Sequence, residues 1–183
     1  HGFVLGGRNV GPWLTAFAYG TSYFSAVIFV GYAGQFDRMK GNFPQFFADI
    51  NPFMANPGIG PKMKIEYLQQ LFQVPNFIKR YRFQLNETME GIAAAHPADT
   101  TSNMFLAAYY GETGDNARCK EMLKRNHNLY PDKMSHLFQY VVAIYELKEW
   151  ENLEIAATEA LGKYPGNTDF IQLRGIARYQ MKQ

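Results

Sequence analysis

The side chains that could do chemistry in this 183-residue chain are few, and their spacing does not assemble them. His96, His127 and His136 share no helical spacing with carboxylates or with Cys119 that would indicate a metal site or a nucleophile–base pair. Four histidines and one cysteine are also too few soft ligands for a cysteine-based zinc site. We therefore predict that the protein is not an enzyme and that it holds no cofactor and no metal.

Two further stretches have residue types that contact phosphate in other proteins. Residues 58–62, GIGPK, fail as a phosphate-binding loop, because the spacing is not GxxxxGK[ST] and no predicted strand precedes them. The basic residues Lys79, Arg80 and Arg82 are interpreted as a plain surface helix, with a phosphate or lipid-headgroup contact as the alternative. The formal net charge of +2 creates no strong long-range field. We therefore expect no nucleic-acid partner and assign no small-molecule substrate.

The elements that would position a site recur with a fixed period. Pro97, Pro131 and Pro165 are equally spaced, since 131 − 97 and 165 − 131 are both 34. This period is typical of a helix–turn–helix unit in which neither helix can bury its apolar face alone, so that units stack side by side. A proline ends the second helix and sets the turn into the next unit. The sequence therefore predicts an all-α fold, a short helix-turn-helix solenoid.

The units share apolar and small residues at matching places. These are Leu106, Ala107, Tyr110, Cys119 and Leu123, then Leu137, Tyr140, Val141, Ile144, Trp150, Ala157, Ala160 and Leu161, then Ile171, Gly175 and Tyr179. The pattern resembles the tetratricopeptide repeat (TPR) over roughly residues 63–183, as a degenerate unit 63–99, two complete units 100–133 and 134–167, and a partial unit 168–183. Asn103, Asn126 and Leu153 depart from the family's usual residues. The place of Cys119 implies a buried, unreactive thiol.

A tetratricopeptide array implies a concave surface, lined mainly by the first helix of each unit, that binds a peptide or helix of another protein. By repeat position the inward side chains are Met104, Ala108, Phe138, Val142, Tyr145, Glu146, Gln172, Ile176 and Tyr179. The Lys and Asn residues with which chaperone-binding members clamp a C-terminal carboxylate are absent there. We therefore expect a scaffold for protein–protein interaction whose ligand is apolar. Ordinary inter-repeat packing is the alternative role for Phe138, Val142 and Ile176.

The first part of the chain, residues 1–36, is an apolar segment of different composition. Asn9 to Phe36 are 28 residues without a formal charge, long enough to cross a hydrocarbon core of about 30 Å as a helix. Their many Gly, Ser, Thr and Tyr residues also suit packing against other helices, so a buried, glycine-interrupted helix or hairpin is the alternative. If the segment spans a membrane, the flanking charges weakly place the repeats in the cytoplasm; otherwise we expect a soluble protein.

The string GGRNVGPWLTAFAYGTSYFSAVIFVGYAGQF, residues 6–36, resembles the first core helix of the sodium:solute symporter family. In that family the helix is interrupted and its freed carbonyls help hold a sodium ion, which implies a cation-binding role for the carbonyls near Thr21 and Phe24. No second uncharged run of 18 residues follows, so this chain alone cannot transport by that mechanism. The alternative function is therefore a fragment of, or fusion with, such a symporter, and two unrelated sequences joined together are a third explanation. A start at His1 without Met favours a fragment or processed piece.

Residues 37–62 connect the two parts and are rich in Pro, Gly and Phe. Proline and glycine at this density break regular structure. We therefore expect an irregular linker, whose Phe43, Phe46, Phe47 and Phe53 pack on the part of the chain after it.

Overall fold

A computed structural model describes residues 41–182, and every regular element in that range is an α-helix. The helices are α1 (Phe43–Ala55), α2 (Pro61–Phe72), α3 (Phe77–Arg80), α4 (Arg82–Ala95), α5 (Thr100–Glu112), α6 (Asn116–Leu129), α7 (Met134–Glu146), α8 (Trp150–Lys163) and α9 (Thr168–Gln180). The predicted all-α class is therefore confirmed for the described residues. The chain divides into two units between Phe53 and Met54, and this division falls within α1.

Within residues 41–182, no helix combines the length and the apolar character needed to cross a membrane. The segment from Asn9 to Phe36, with the carbonyls near Thr21 and Phe24, lies outside the described residues. The membrane span and the symporter likeness therefore stay predictions.

The range 37–62, expected to be an irregular linker, contains the 13-residue helix α1. Phe46, Phe47, Ile50 and Phe53 are buried and recur at helical spacing along one side of α1. Pro52 lies inside this helix, and its missing N–H and ring clash cost about 3 kcal/mol. Burying each large apolar side chain contributes about 1.5–3 kcal/mol. The free energy gained by burying four such side chains exceeds the cost of one proline in the helix. The prediction of an irregular linker from proline density was therefore wrong for residues 43–55.

In the unit Met54–Gln183 the helices recur with the period of the prolines. Helices α5, α7 and α9, called first helices below, begin at Thr100, Met134 and Thr168, and the second helices α6 and α8 begin at Asn116 and Trp150. From α4 to α9 each helix packs against its neighbour in sequence. Each helix thus buries part of its apolar surface against the helices next to it, in the manner of a one-dimensional stack.

The turn from a first helix to its second helix uses a left-handed residue. Gly114 has φ +77° after α5, and Lys148 has φ +56° at the same place after α7. In both turns the N–H of the next residue donates to the carbonyl five residues earlier, at 2.8 Å after Gly114 and 3.3 Å after Lys148. This hydrogen bond is that of a Schellman cap, which satisfies carbonyls that the helix end leaves free.

The turn after each second helix is set by the residue before a proline. His96 after α4, Tyr130 after α6 and Tyr164 after α8 have φ of −133°, −135° and −132°. Proline disfavours helical backbone in the preceding residue, so each helix ends there. The equal spacing of the prolines therefore marks equal positions in the fold.

We expect Lys148→Gly to raise the free energy of unfolding by about 0.5–1 kcal/mol. A left-handed conformation costs a residue with a Cβ about 1–2 kcal/mol, and the greater freedom of glycine in the unfolded chain offsets part of the gain. Gly114→Lys is the reciprocal variant and should lower stability, although no atom lies within 4 Å of a Cβ built there. Urea unfolding followed by circular dichroism measures both changes, and a stabilised Gly114→Lys would contradict the backbone argument.

Two departures from the family pattern, Asn103 and Asn126, pair with each other inside the first complete unit. Both are fully buried. The Nδ2 atom of Asn103 donates to Oδ1 of Asn126 at 2.9 Å, and Nδ2 of Asn126 donates to the backbone oxygen of Thr100 at 3.1 Å. A buried amide without such partners would cost about 1–3 kcal/mol. The pair thus joins α5 to α6 by hydrogen bonds within an otherwise apolar helix interface.

The two asparagines should behave as one energetic unit. Leu137 and Ala160 occupy the same places in the next unit and are buried. Asn103→Leu and Asn126→Ala should each lower the free energy of unfolding by about 1–3 kcal/mol, because each removes the hydrogen bond between the two amides and leaves the remaining buried amide only its bond to the backbone oxygen of Thr100 or Pro97. The double variant should recover at least about 1 kcal/mol relative to the sum of the singles. Simple additivity in denaturant unfolding would show that the pair is not coupled.

Lys64 is a fully buried lysine of α2 that fastens residues 54–56 and the end of α4 to that helix. Its Nζ atom donates to the backbone oxygens of Met54 and Asn56, both at 2.7 Å, and lies 2.8 Å from Nε2 of His96. Three acceptors thus match the three protons of the ammonium group. Burial lowers the pKa of Lys64 to about 8. Burial first, and then the charge of Lys64, lower the pKa of His96, which keeps the imidazole neutral and able to accept.

We expect acid to destabilise the fold through His96. A histidine whose pKa is lowered on folding binds fewer protons than in the unfolded chain, so stability is lost as the pH falls below 6.5. His96→Gln keeps an acceptor and removes this titration, and its melting temperature should fall less between about pH 7 and pH 5 than that of the wild type. Burial also lowers the pKa of His127, so part of the slope should remain. Equal slopes in thermal unfolding would exclude the role of His96.

Candidate functional site: an apolar groove between the first helices

A groove with a volume of about 470 Å³ opens between α5, α6 and α7. It is called the α5–α7 groove below, and its lining residues are Met104, Ala107, Ala108, Gly111, Glu112, Asn116, Cys119, Leu123, Phe138, Gln139, Val142, Ala143 and Glu146. On α5 they fall at positions i, i+3, i+4, i+7 and i+8, which places them along one helix face. Most of the lining is apolar, so the groove exposes apolar surface to water.

Small residues create the hollow. Ala107, Ala108 and Gly111 give α5 little side-chain volume, and Ala143 does the same on α7. Ala108 is exposed and Met104 is half-buried, so the lining is accessible from outside. Protein interiors are normally packed without such gaps. Because this gap is accessible from outside, a side chain of a ligand can enter it.

Five of the nine predicted groove residues line this groove: Met104, Ala108, Phe138, Val142 and Glu146. These five come from α5 and α7, the first helices of two successive units. Their binding role stays a prediction, but the structure does bring them together.

The other four predicted residues lie elsewhere. Tyr145 is half-buried and packs edge-on against Trp150, with ring centroids 6.1 Å apart. Gln172, Ile176 and Tyr179 lie on α9 and do not line the α5–α7 groove. A binding surface that extends to α9 thus stays a prediction.

Cys119 faces the groove from α6. It is half-buried, which is less burial than the tetratricopeptide resemblance implied. Burial raises the pKa of its thiol, so the group is neutral near pH 7 and a weak nucleophile. The thiol therefore contributes apolar lining to the groove.

Glu112 was missed by the sequence analysis, although it stands one repeat period before the predicted Glu146. Both are exposed, and each is the last residue of its first helix. The ion pairs found among residues 41–182 involve neither carboxylate. Glu112 and Glu146 are the only charged side chains among the described residues that line the groove. The repeat period, applied to charged as well as apolar residues, would have found Glu112.

A second hollow, of about 510 Å³, lies between the end of α2, α3 and the turn after α5. Lys79 and Arg82 of the predicted basic cluster line it, together with Glu112. Arg80 instead lies over the ring of Tyr81, 5.5 Å from its centroid. The three basic side chains therefore do not converge on one phosphate-sized point.

The histidines take part in the packing of the turns. His127 stacks on Tyr140 with centroids 6.0 Å apart, and His136 lies 6.1 Å from the ring of Tyr130. Among residues 41–182, no group of three or more His, Cys, Asp or Glu side chains is placed to hold a metal ion.

A scan against protein-family models and searches of curated proteins and of solved structures find no match to this chain.

Proposed function

We propose that the protein is a non-catalytic scaffold of the tetratricopeptide kind, which binds an apolar peptide or helix of another protein in the α5–α7 groove. The observation that carries the proposal is an accessible, mostly apolar hollow between two first helices and the second helix α6. Its lining includes five of the residues that the repeat pattern predicts to face inward.

The groove suits an extended or helical segment rather than an enclosed small molecule. Ala108 and the two lining carboxylates are exposed, so the hollow has an open side along the helices. Each large apolar side chain buried there contributes about 1.5–3 kcal/mol, and association costs several kcal/mol in lost freedom. The net gain from two or three such anchors is therefore small, and we expect weak, reversible binding.

The groove lining predicts that a large side chain at Ala108 blocks binding. Random short peptides displayed on phage and selected on the full chain should yield sequences rich in Leu, Ile, Phe and Met. Ala108→Trp fills the groove from an exposed position and should weaken binding of the selected peptides at least about tenfold, that is by about 1.4 kcal/mol.

Ala94→Trp is the matched control, because Ala94 is an exposed alanine of α4 that does not line the groove. It should bind the selected peptides as the wild type does. Circular dichroism checks that both variants keep their helix content. Equal binding by Ala108→Trp, or no enriched peptide on the wild type, would refute the proposal.

The second function, a fragment of or fusion with a sodium:solute symporter, concerns residues 6–36 only. No observation on residues 41–182 favours it.

A further inference from the structure

The charges that border the α5–α7 groove all have one sign. Its lining contains Glu112 and Glu146 and no lysine or arginine. The chain as a whole carries 18 basic and 16 acidic residues, so this separation is local. An apolar groove bordered by carboxylates alone favours a ligand with a positive charge.

The two carboxylates lie on the same border of the groove. Each is the last residue of a first helix, and α5 and α7 run in the same direction because α6 reverses the chain between them. The C-terminal carbonyls of both helices accept hydrogen bonds in the Schellman turns, so the attraction of this border for a cation comes from the two side chains.

We expect Glu146 to attract a ligand cation more strongly than Glu112 does. Glu112 also borders the second hollow, where Lys79 and Arg82 lie, and these cations reduce the negative potential around it. Glu146 lines only the α5–α7 groove among the two hollows.

We propose that the ligand of the α5–α7 groove is an apolar protein segment that carries a lysine or arginine, whose charge pairs with Glu146 and, more weakly, with Glu112. The proposal rests on the proposed function and adds to it the charge of the ligand.

The expected effect is moderate and depends on salt. An exposed ion pair contributes about 0.2–1 kcal/mol, which corresponds to a factor of roughly 1.4 to 5 in affinity for each carboxylate. Raising the ionic strength shortens the Debye length from about 10 Å at 0.1 M to about 3 Å at 1 M. The apolar contribution to binding should persist at high salt, and the charge contribution should vanish.

The test uses the peptides selected by phage display on the wild-type full chain. They should be enriched in Lys or Arg to one side of the apolar residues. One such peptide is synthesised with its basic residue unchanged, replaced by Gln and replaced by Glu. Its affinity for the chain is measured by fluorescence anisotropy at low and high salt.

Four protein variants complete the experiment. Glu146→Gln should weaken binding of the basic peptide more than Glu112→Gln does, and neither should affect the Gln peptide. Glu87→Gln is the matched control, because Glu87 is an exposed glutamate of α4 outside the groove, and it should change nothing. Glu146→Lys should prefer the Glu peptide over the Lys peptide, which reverses the wild-type order.

The outcomes separate the two proposals. Selected peptides without basic enrichment, or affinities that ignore the charge of the peptide and of Glu146, overturn the charge inference while leaving apolar binding intact. Peptides that bind Ala108→Trp as well as the wild type, or a selection without enrichment, overturn the proposed function and the inference with it. Basic enrichment with the reversed order in Glu146→Lys supports both.

Discussion

Two backbone positions in each complete repeat fix where the chain reverses, and the packing of residues 54–183 depends on them. One is the left-handed residue after a first helix, Gly114 or Lys148. The other is the residue before a proline, such as Tyr130 or Tyr164, after a second helix. Both leave the helix in a backbone conformation that cannot continue it. Because they recur once in every repeat period, the same helix faces meet in successive units, and the α5–α7 groove forms where two first helices align.

The 34-residue repeat period could be predicted from the sequence, because proline restricts the backbone whatever surrounds it. The left-handed turn after α7 could not be predicted in the same way. Lys148 has no intrinsic preference for positive φ, so only its place one repeat period after Gly114 marks it. The helix α1 was missed for the opposite reason. The prolines and glycines of residues 37–62 suggested irregular backbone, while Phe46 and Ile50 within α1 are spaced as on a helix and are both buried.

The candidate site was predictable to the extent that it follows the repeat. Met104 and Phe138 were assigned from repeat position alone, and both line the groove. Its depth was not predictable, since it arises from the coincidence of small residues on two helices. The buried lysine Lys64 was not predictable either, because two of its acceptors are backbone oxygens and the third, the ring of His96, lies 32 residues away in the sequence. Local backbone preferences can be predicted from a sequence. The hydrogen-bond partners of buried polar groups can be identified only from the folded structure.

The asparagine pair has a consequence for how the helices choose partners during folding. Chains built from similar units risk pairing a first helix with the wrong second helix, a recognised failure of repeat proteins. If α8 took the place of α6 beside α5, Asn103 would face Ala160 and its buried amide would lose the partner that Asn126 provides. If α7 took the place of α5 beside α6, Leu137 would bury the amide of Asn126 in the same way. The pair therefore favours the packing of α6 against α5 over both wrong pairings. Each wrong pairing would be destabilised by about 1–3 kcal/mol.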